Sequence, residues 1–294
     1  MDPRPVLSRR GFAGALAATG MLSAHAAAPS KATEMVTLGK SGVRVTRLAQ
    51  GTGFNGGARS SAHTRLGEKA FHSLIRHDID HGVTFMDAAD LYGSHPYLRN
   101  ALRGVPREKY NLLTKLWPRT EFWNNYSGGA KAEIDRFRKE FATDQLDVVL
   151  IHCLMNDRWT NEMQRTMDEM AEMKQKGVVK AVGVSCHDFG ALKVAAASPW
   201  TDVLLVRINN VGKAAAMDAP VEEVVPVIKQ ARAAGKGIIG MKIFGAGKLT
   251  APEQRDASLK FVLQNKLVDA VTIGMLSETE VNDTMARIDK AMAG

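Results

Sequence analysis

Asp87, Tyr92, Lys115 and His152 are the residues of this 294-residue chain whose types and spacing could do chemistry. Each stands at or just past the C-terminal end of a short apolar run, in TFMDAADLY, YNLLTKLW and LDVVLIHC. An acid, a phenol, an amine and an imidazole gathered in one place make a proton-donating tyrosine. The lysine cation favours phenolate and so lowers the phenol pKa, the carboxylate keeps the lysine charged, and the imidazole positions the oxygen that receives the proton. The chemistry this predicts is reduction of a carbonyl. It requires the ends of three strands to open on one mouth, which is what a parallel α/β barrel provides.

The rest of the chain has the alternation such a barrel needs. MVTLG and VRVTRL, separated by Lys40-Ser41-Gly42, read as a hairpin. Eight strand candidates follow: RLAQGTG, VTFMDA, YNLLTKL, DVVLIHC, VKAVGVSC, DVLLVRIN, GIIGMKIF and AVTIGM. Helical stretches fall between them, several ending in a glycine suited to a left-handed cap (Gly82, Gly177, Gly235). The strands are continuously apolar, as expected when both faces are buried. The predicted fold is a (β/α)8 TIM barrel over residues 35–294, with the hairpin as an N-terminal plug.

Ser8-Arg9-Arg10-Gly11-Phe12, an apolar stretch from Ala13 to Leu22 and then Ala24-His25-Ala26 have the form of a twin-arginine export signal over residues 1–26. The apolar run is too short for a permanent membrane helix. The expectation is a periplasmic protein without a membrane span, recognised by the export machinery and exported folded, so that a cofactor can be loaded before export. The formal charge of +8 falls to +6 once Asp2, Arg4, Arg9 and Arg10 are removed. The remaining basic residues alternate with acids, as in KAEIDRFRKE, which marks a solvated face and gives no sign of nucleic-acid binding.

TLGKSGVRVTRLAQGTG, FMDAADLYG, LLTKL, LIHC and GVSC, in this order and at these separations, resemble the aldo-keto reductases. The resemblance covers essentially everything after about residue 35. It implies a barrel that uses NADP or NAD, a small-molecule carbonyl substrate (aldehyde, ketone, quinone or keto-sugar), Tyr92 as general acid, Asp87 and Lys115 as the pair that tunes it, and His152 as the residue orienting the carbonyl. The alternative is a barrel of this family that binds a ligand or partner without turnover, a reading favoured by altered nicotinamide contacts: Cys186 stands where the family has asparagine, Leu205 where it has glutamine and Ile208 where it has an aromatic ring. Met241-Lys242 departs from the family's commoner aromatic-Ser-Pro pattern.

Gly51-Thr52-Gly53-Phe54-Asn55-Gly56 spells a dinucleotide fingerprint, but no helix opens at its end and no strand-end acid follows about twenty residues later. It reads as a barrel loop, with Gly51 and Thr52 near the nicotinamide as the resemblance implies. Gly245-Ala246-Gly247-Lys248 is the phosphate candidate, small residues letting backbone amides approach and a lysine standing beside them. Asp87, Ser185, Cys186 and Asn209 complete the expected nicotinamide side. The resemblance adds Gly274, Met275 and Ser277 on the adenosine-phosphate side and Asp283 near the adenine. No arginine follows Gly274 to clamp a 2′-phosphate, which predicts weak discrimination between NADPH and NADH.

For the substrate, Trp117, Phe122, Trp123 and Tyr126 on the loop after the third strand either stack on a ring or sugar or pack that loop, and Arg158 and Trp159 offer a second wall. His152-Cys153 and Cys186-His187 fit no zinc spacing, so no metal is expected. Cys153 and Cys186 close neighbouring strands within disulfide reach. Two free thiols are nevertheless the expectation, since buried cysteine is usually a small apolar packer.

Overall fold

The structure, a computed structural model, describes residues 30–117 and 129–293, together with Met1. The export-signal segment and Phe122, Trp123 and Tyr126 lie outside these residues. Two short antiparallel strands, β1 (Met35–Thr37) and β2 (Arg44–Thr46), form the hairpin. Eight parallel strands then close a barrel: β3 (Leu48–Gly51), β4 (Phe85–Asp87), β5 (Asn111–Leu116), β6 (Leu146–Leu154), β7 (Val179–Cys186), β8 (Val203–Arg207), β9 (Gly237–Met241) and β10 (Ala270–Ile273), which returns to pair with β3.

Nine helices of the described residues cover the barrel: α1 (Glu68–Asp80), α2 (His95–Ala101), α3 (Ala130–Phe141), α4 (Trp159–Glu162), α5 (Gln164–Gln175), α6 (Phe189–Ala197), α7 (Val221–Ala233), α8 (Pro252–Gln264) and α9 (Glu278–Ala293). Among the described residues none is long and apolar enough to cross a membrane.

The continuous apolar strands divide their side chains between two cores, because successive residues point to opposite faces. One set fills the barrel, including Ala49, Phe85, Leu113, Val148, Leu150, Ala181, Val203, Leu205, Ile239 and Met241. Leu38, Val43 and Val45 of the hairpin segment join this cluster and stopper the barrel at the end opposite the mouth. The other set, including Met86, Leu112, Leu116, Ile151, Val184 and Cys186, faces the helices. The phase of this alternation decides what reaches the mouth: Gly51, Asp87, Lys115, His152, Ser185, Arg207 and Met241 are the last inward residues of β3 to β9.

Candidate active site

Asp87 ends β4 and Lys115 lies in β5, both on the inward face and both buried. The Lys115 amine donates to Asp87 Oδ1 and to the Ala88 carbonyl at 2.9 Å. Asp87 Oδ2 accepts from Thr272 Oγ1 at 2.8 Å, so the carboxylate is held from two strands. Burial acts to lower the Lys115 pKa, but Asp87 and Tyr92 outweigh it and the amine stays above its ordinary value.

Tyr92 sits on a short 3-10 turn, Asp90–Tyr92, closed by left-handed Gly93. The turn is tied down on several sides. Arg136 of α3 donates to both Asp90 oxygens at 3.0 and 2.8 Å. Glu140 accepts from Arg59 at 2.7 Å and from His95 Nδ1 at 2.7 Å. Thr52 donates to the Asp87 carbonyl from both its backbone N–H and its hydroxyl, and the hydroxyl also meets Ser94 Oγ at 2.8 Å. The Lys115 amine lies 4.7 Å from the centre of the Tyr92 ring, and the phenol oxygen is 3.4 Å from His152 Nε2.

The phenol pKa is raised on balance, because burial outweighs the lowering effect of Lys115. This corrects the expectation of a net lowering. The phenol is therefore protonated throughout the working range, as a proton donor must be, while Lys115 stands ready to stabilise the phenolate that donation leaves behind.

The end of β6, which carries His152 on its inward face, has a feature invisible in the sequence. The β6–β7 register slips between Ile151 and Leu154, so that His152 and Cys153 together oppose Ser185. Cys153 takes φ 62° to close this bulge. Bulges of this kind re-aim side chains beside active sites. The imidazole lies edge-on to Tyr92, Trp117 and His187.

Two glycines of the fingerprint-like loop serve the tyrosine. A Cβ on Gly53 would fall 2.2 Å from the Tyr92 ring, and one on Gly56 would fall 2.8 Å from it. A Cβ on Gly51 would fall 2.9 Å from Thr272 Oγ1.

A groove leads from Asp87 and Tyr92 over Leu205 and Met241, past Ala246 and Gly247, to Arg255, Glu280 and Asp283. Gly51, Gly274 and Met275 also line it, and Gly245 is buried behind it. Among the described residues Ser185 Oγ is buried and without a partner, at the inward position of β7, opposite Leu205.

Several expected contacts are placed elsewhere. Cys186 and Ile208 belong to the outer, helix-facing core, and burial pushes the Cys186 thiol up. No disulfide joins Cys186 and Cys153. The Asn209 amide is saturated: Nδ2 donates to the Ala215 and Lys242 carbonyls, and Oδ1 accepts from the N–H groups of Val211 and Gly212. Thr52 is a fully buried staple, and Ser277 Oγ accepts from the Glu280 N–H at the start of α9. Lys248 donates to the Ala214 carbonyl at 3.1 Å. Trp159 is 1% exposed and packs against Trp200, away from the mouth, whereas Trp117 stays beside His152.

Three residues that sequence reasoning missed enter the site, Thr272, Arg207 and Arg255, and Lys242, which the sequence offered with Lys248 as a substitute for the missing 2′-phosphate arginine, lines the groove. The first two are inward by strand alternation, once its phase is known.

Residues 48–291 match the model of the aldo/keto reductase family. L-galactose dehydrogenase of Arabidopsis thaliana is 21% identical over 290 residues, covering 87% of this chain and 88% of that one. Among solved structures, a Pseudomonas aeruginosa protein assigned to the aldo-keto reductases is 23% identical with TM-score 0.73, covering 90% of this chain and 97% of that one. An aldo-keto reductase of Klebsiella pneumoniae in complex with NADPH is 18% identical with TM-score 0.65, covering 86% of this chain and 89% of its own.

Proposed function

Because the chain belongs to the aldo/keto reductase family, we propose that it reduces a carbonyl with NADPH or NADH, Tyr92 acting as the general acid. The observation that carries this reading is the convergence of Asp87, Lys115, Tyr92 and His152 at one end of a groove long enough to reach Asp283. The groove suits a nicotinamide cofactor. The orphaned Ser185 hydroxyl awaits a polar partner at the catalytic end, Leu205 and Met241 give an apolar floor for a ring, and Ala246 and Gly247 leave the rim open to backbone contact. The residues at the catalytic end would hold the nicotinamide, and those from Ala246 to Asp283 the phosphates and adenosine.

When bound, the reduced cofactor supplies a hydride to the carbonyl carbon. As negative charge grows on the carbonyl oxygen, Tyr92 gives it the phenolic proton while His152 holds it by hydrogen bonding. Lys115, kept charged by Asp87, stabilises the phenolate, and Thr272 keeps Asp87 from turning away. A positioned proton donor contributes ~10²–10⁴ in rate.

The test uses cofactor fluorescence. Purified protein should bind NADPH or NADH, and the signal should disappear as aldehydes, quinones or keto-sugars are added. Binding without consumption across such a panel would leave a barrel that only binds. The same proposal places the protein in the periplasm after export, where Ser8-Arg9-Arg10-Gly11-Phe12 would direct it.

A further inference from the structure

The β8–β9 side of the mouth carries a positive charge that the carbonyl reduction described above does not use. Arg207 ends β8 opposite Met241, and Lys242 follows Met241 directly. Arg207 Nη1 donates to Asp218 at 3.0 Å and Nη2 meets His187 Nδ1, while its buried Nε has no partner among the described residues. Lys242 lines the groove beside Asp87, Tyr92 and Leu205.

Pairing the charges leaves one cation over. Asp87 is taken by Lys115 and Asp218 by Arg207. Lys242 has no ion pair or side-chain hydrogen bond of its own among the described residues. Burial, then Arg207 and then Lys115, push its pKa down, so the folded chain bears a cost that an anion on the ligand would offset.

The position of this lysine is built. Its backbone adopts φ 58°, a left-handed conformation that side chains rarely take. The turn is held by its carbonyl, which accepts from Gly245 N–H at 2.8 Å and from Asn209 Nδ2 at 3.2 Å. Asn209 is a fully buried side chain whose whole hydrogen-bonding capacity goes into this loop.

Two ligand groups are anionic: a cofactor phosphate and a carboxylate on the substrate. Lys242 directly follows Met241, which pairs with Arg207 at the mouth end of the barrel, and the groups whose charges bear on it, Arg207, Lys115, Asp87 and Cys153, stand at the catalytic end. Position therefore favours the substrate. We propose that Lys242 forms an anion subsite beside the carbonyl position, and that the substrate is an aldehyde or ketone bearing a carboxylate. This rests on the reductase reading given above.

The test compares 4-carboxybenzaldehyde with its methyl ester as substrates, and benzoate with benzamide as ligands by calorimetry, on the full chain with cofactor. The wild type should favour the anion about tenfold or more in both pairs, a size typical of one charge-assisted contact. Lys242→Met should bring both ratios close to one, and Lys242→Arg should restore most of the preference. A wild-type ratio near one in both pairs overturns the proposal. So does a Lys242→Met variant that binds NADPH more weakly while keeping its acid-to-ester ratio, since the amine then serves a cofactor phosphate. If neither aldehyde is reduced, the wider carbonyl panel decides the reductase reading separately, and the benzoate–benzamide ratio still decides whether the subsite exists.

Discussion

Replacing Gly53 by alanine should cripple turnover without loosening the cofactor. The new Cβ would lie 2.2 Å from two Tyr92 ring carbons and 2.6 Å from a third. Carbon atoms rest at about 3.5–4.0 Å, so the ring or the loop must retreat by roughly 1.3 Å or more. The ring has little room to yield, with the Lys115 amine over one side, His152 at its edge and its turn fastened to Arg136. A misplacement of about 1 Å in a reacting group costs on the order of 10²-fold in rate. Steady-state turnover should therefore fall by about that factor, while cofactor affinity read by fluorescence titration changes little. Gly57→Ala is the matched control, because a Cβ there meets nothing within 4 Å. Turnover by Gly53→Ala within about threefold of the wild type would refute the clash argument, since such a shift is too small for a displaced acid. Loss of cofactor affinity with normal turnover would instead restore the phosphate-loop reading of the glycine pattern.

Other outcomes follow from groups beyond the tyrosine. Arg255 lines the far end of the groove and stacks 5.4 Å from the Phe244 ring, so it can clamp a 2′-phosphate that no arginine after Gly274 supplies; Arg255→Ala should weaken NADPH about tenfold and NADH little, and an equal loss for both would place the guanidinium elsewhere. Asp78 on α1 is fully buried, with neither carboxyl oxygen bonded among the described residues, and burial raises its pKa well above 3.8. A raised folded-state pKa means that stability is fully present below 3.8 and is lost as pH rises through the folded value. Asp78→Asn, which cannot ionise, should thus gain ~1–3 kcal/mol over the wild type at alkaline pH and lose that advantage near pH 4 in chemical denaturation; a constant difference across that range would contradict a buried, unpaired carboxyl. Amino-terminal sequencing of protein recovered from the periplasm should begin at Ala27, and an uncleaved cytoplasmic product would remove the export proposal.

The barrel and the convergence of Asp87, Tyr92, Lys115 and His152 could be read in the chain because they depend on order. Each chemical group follows an apolar run, and eight such runs alternate with helical stretches. What could not be read depends on phase. A continuously apolar strand gives no sign of which residues point inward, and one step in sequence exchanges the two faces. Ser185 faces the mouth, whereas Cys186, one residue on, packs against the helices. On β8 the same alternation sends Ile208 outward and leaves Arg207 at the mouth. The bulge at His152 and Cys153 breaks the alternation locally, and no residue in LIHCL announces it. Asn209, Thr52 and Ser277 were expected at the cofactor by resemblance, but their hydrogen-bonding groups are engaged in holding loops and a helix start. The glycine pattern at 51–56 misleads in the same way: its spacing is that of a phosphate cradle, and its cause is the bulk of the Tyr92 ring at Gly53 and Gly56 and of Thr272 at Gly51.

The most direct test of the account is hydride transfer in a single turnover by Tyr92→Phe. The phenyl ring keeps its contacts with His152 and Lys115 and loses only the proton, so cofactor affinity should stay close to that of the wild type. Transfer to a carbonyl should fall by ~10²–10⁴. Transfer at the wild-type rate would contradict the assignment of Tyr92 as the acid.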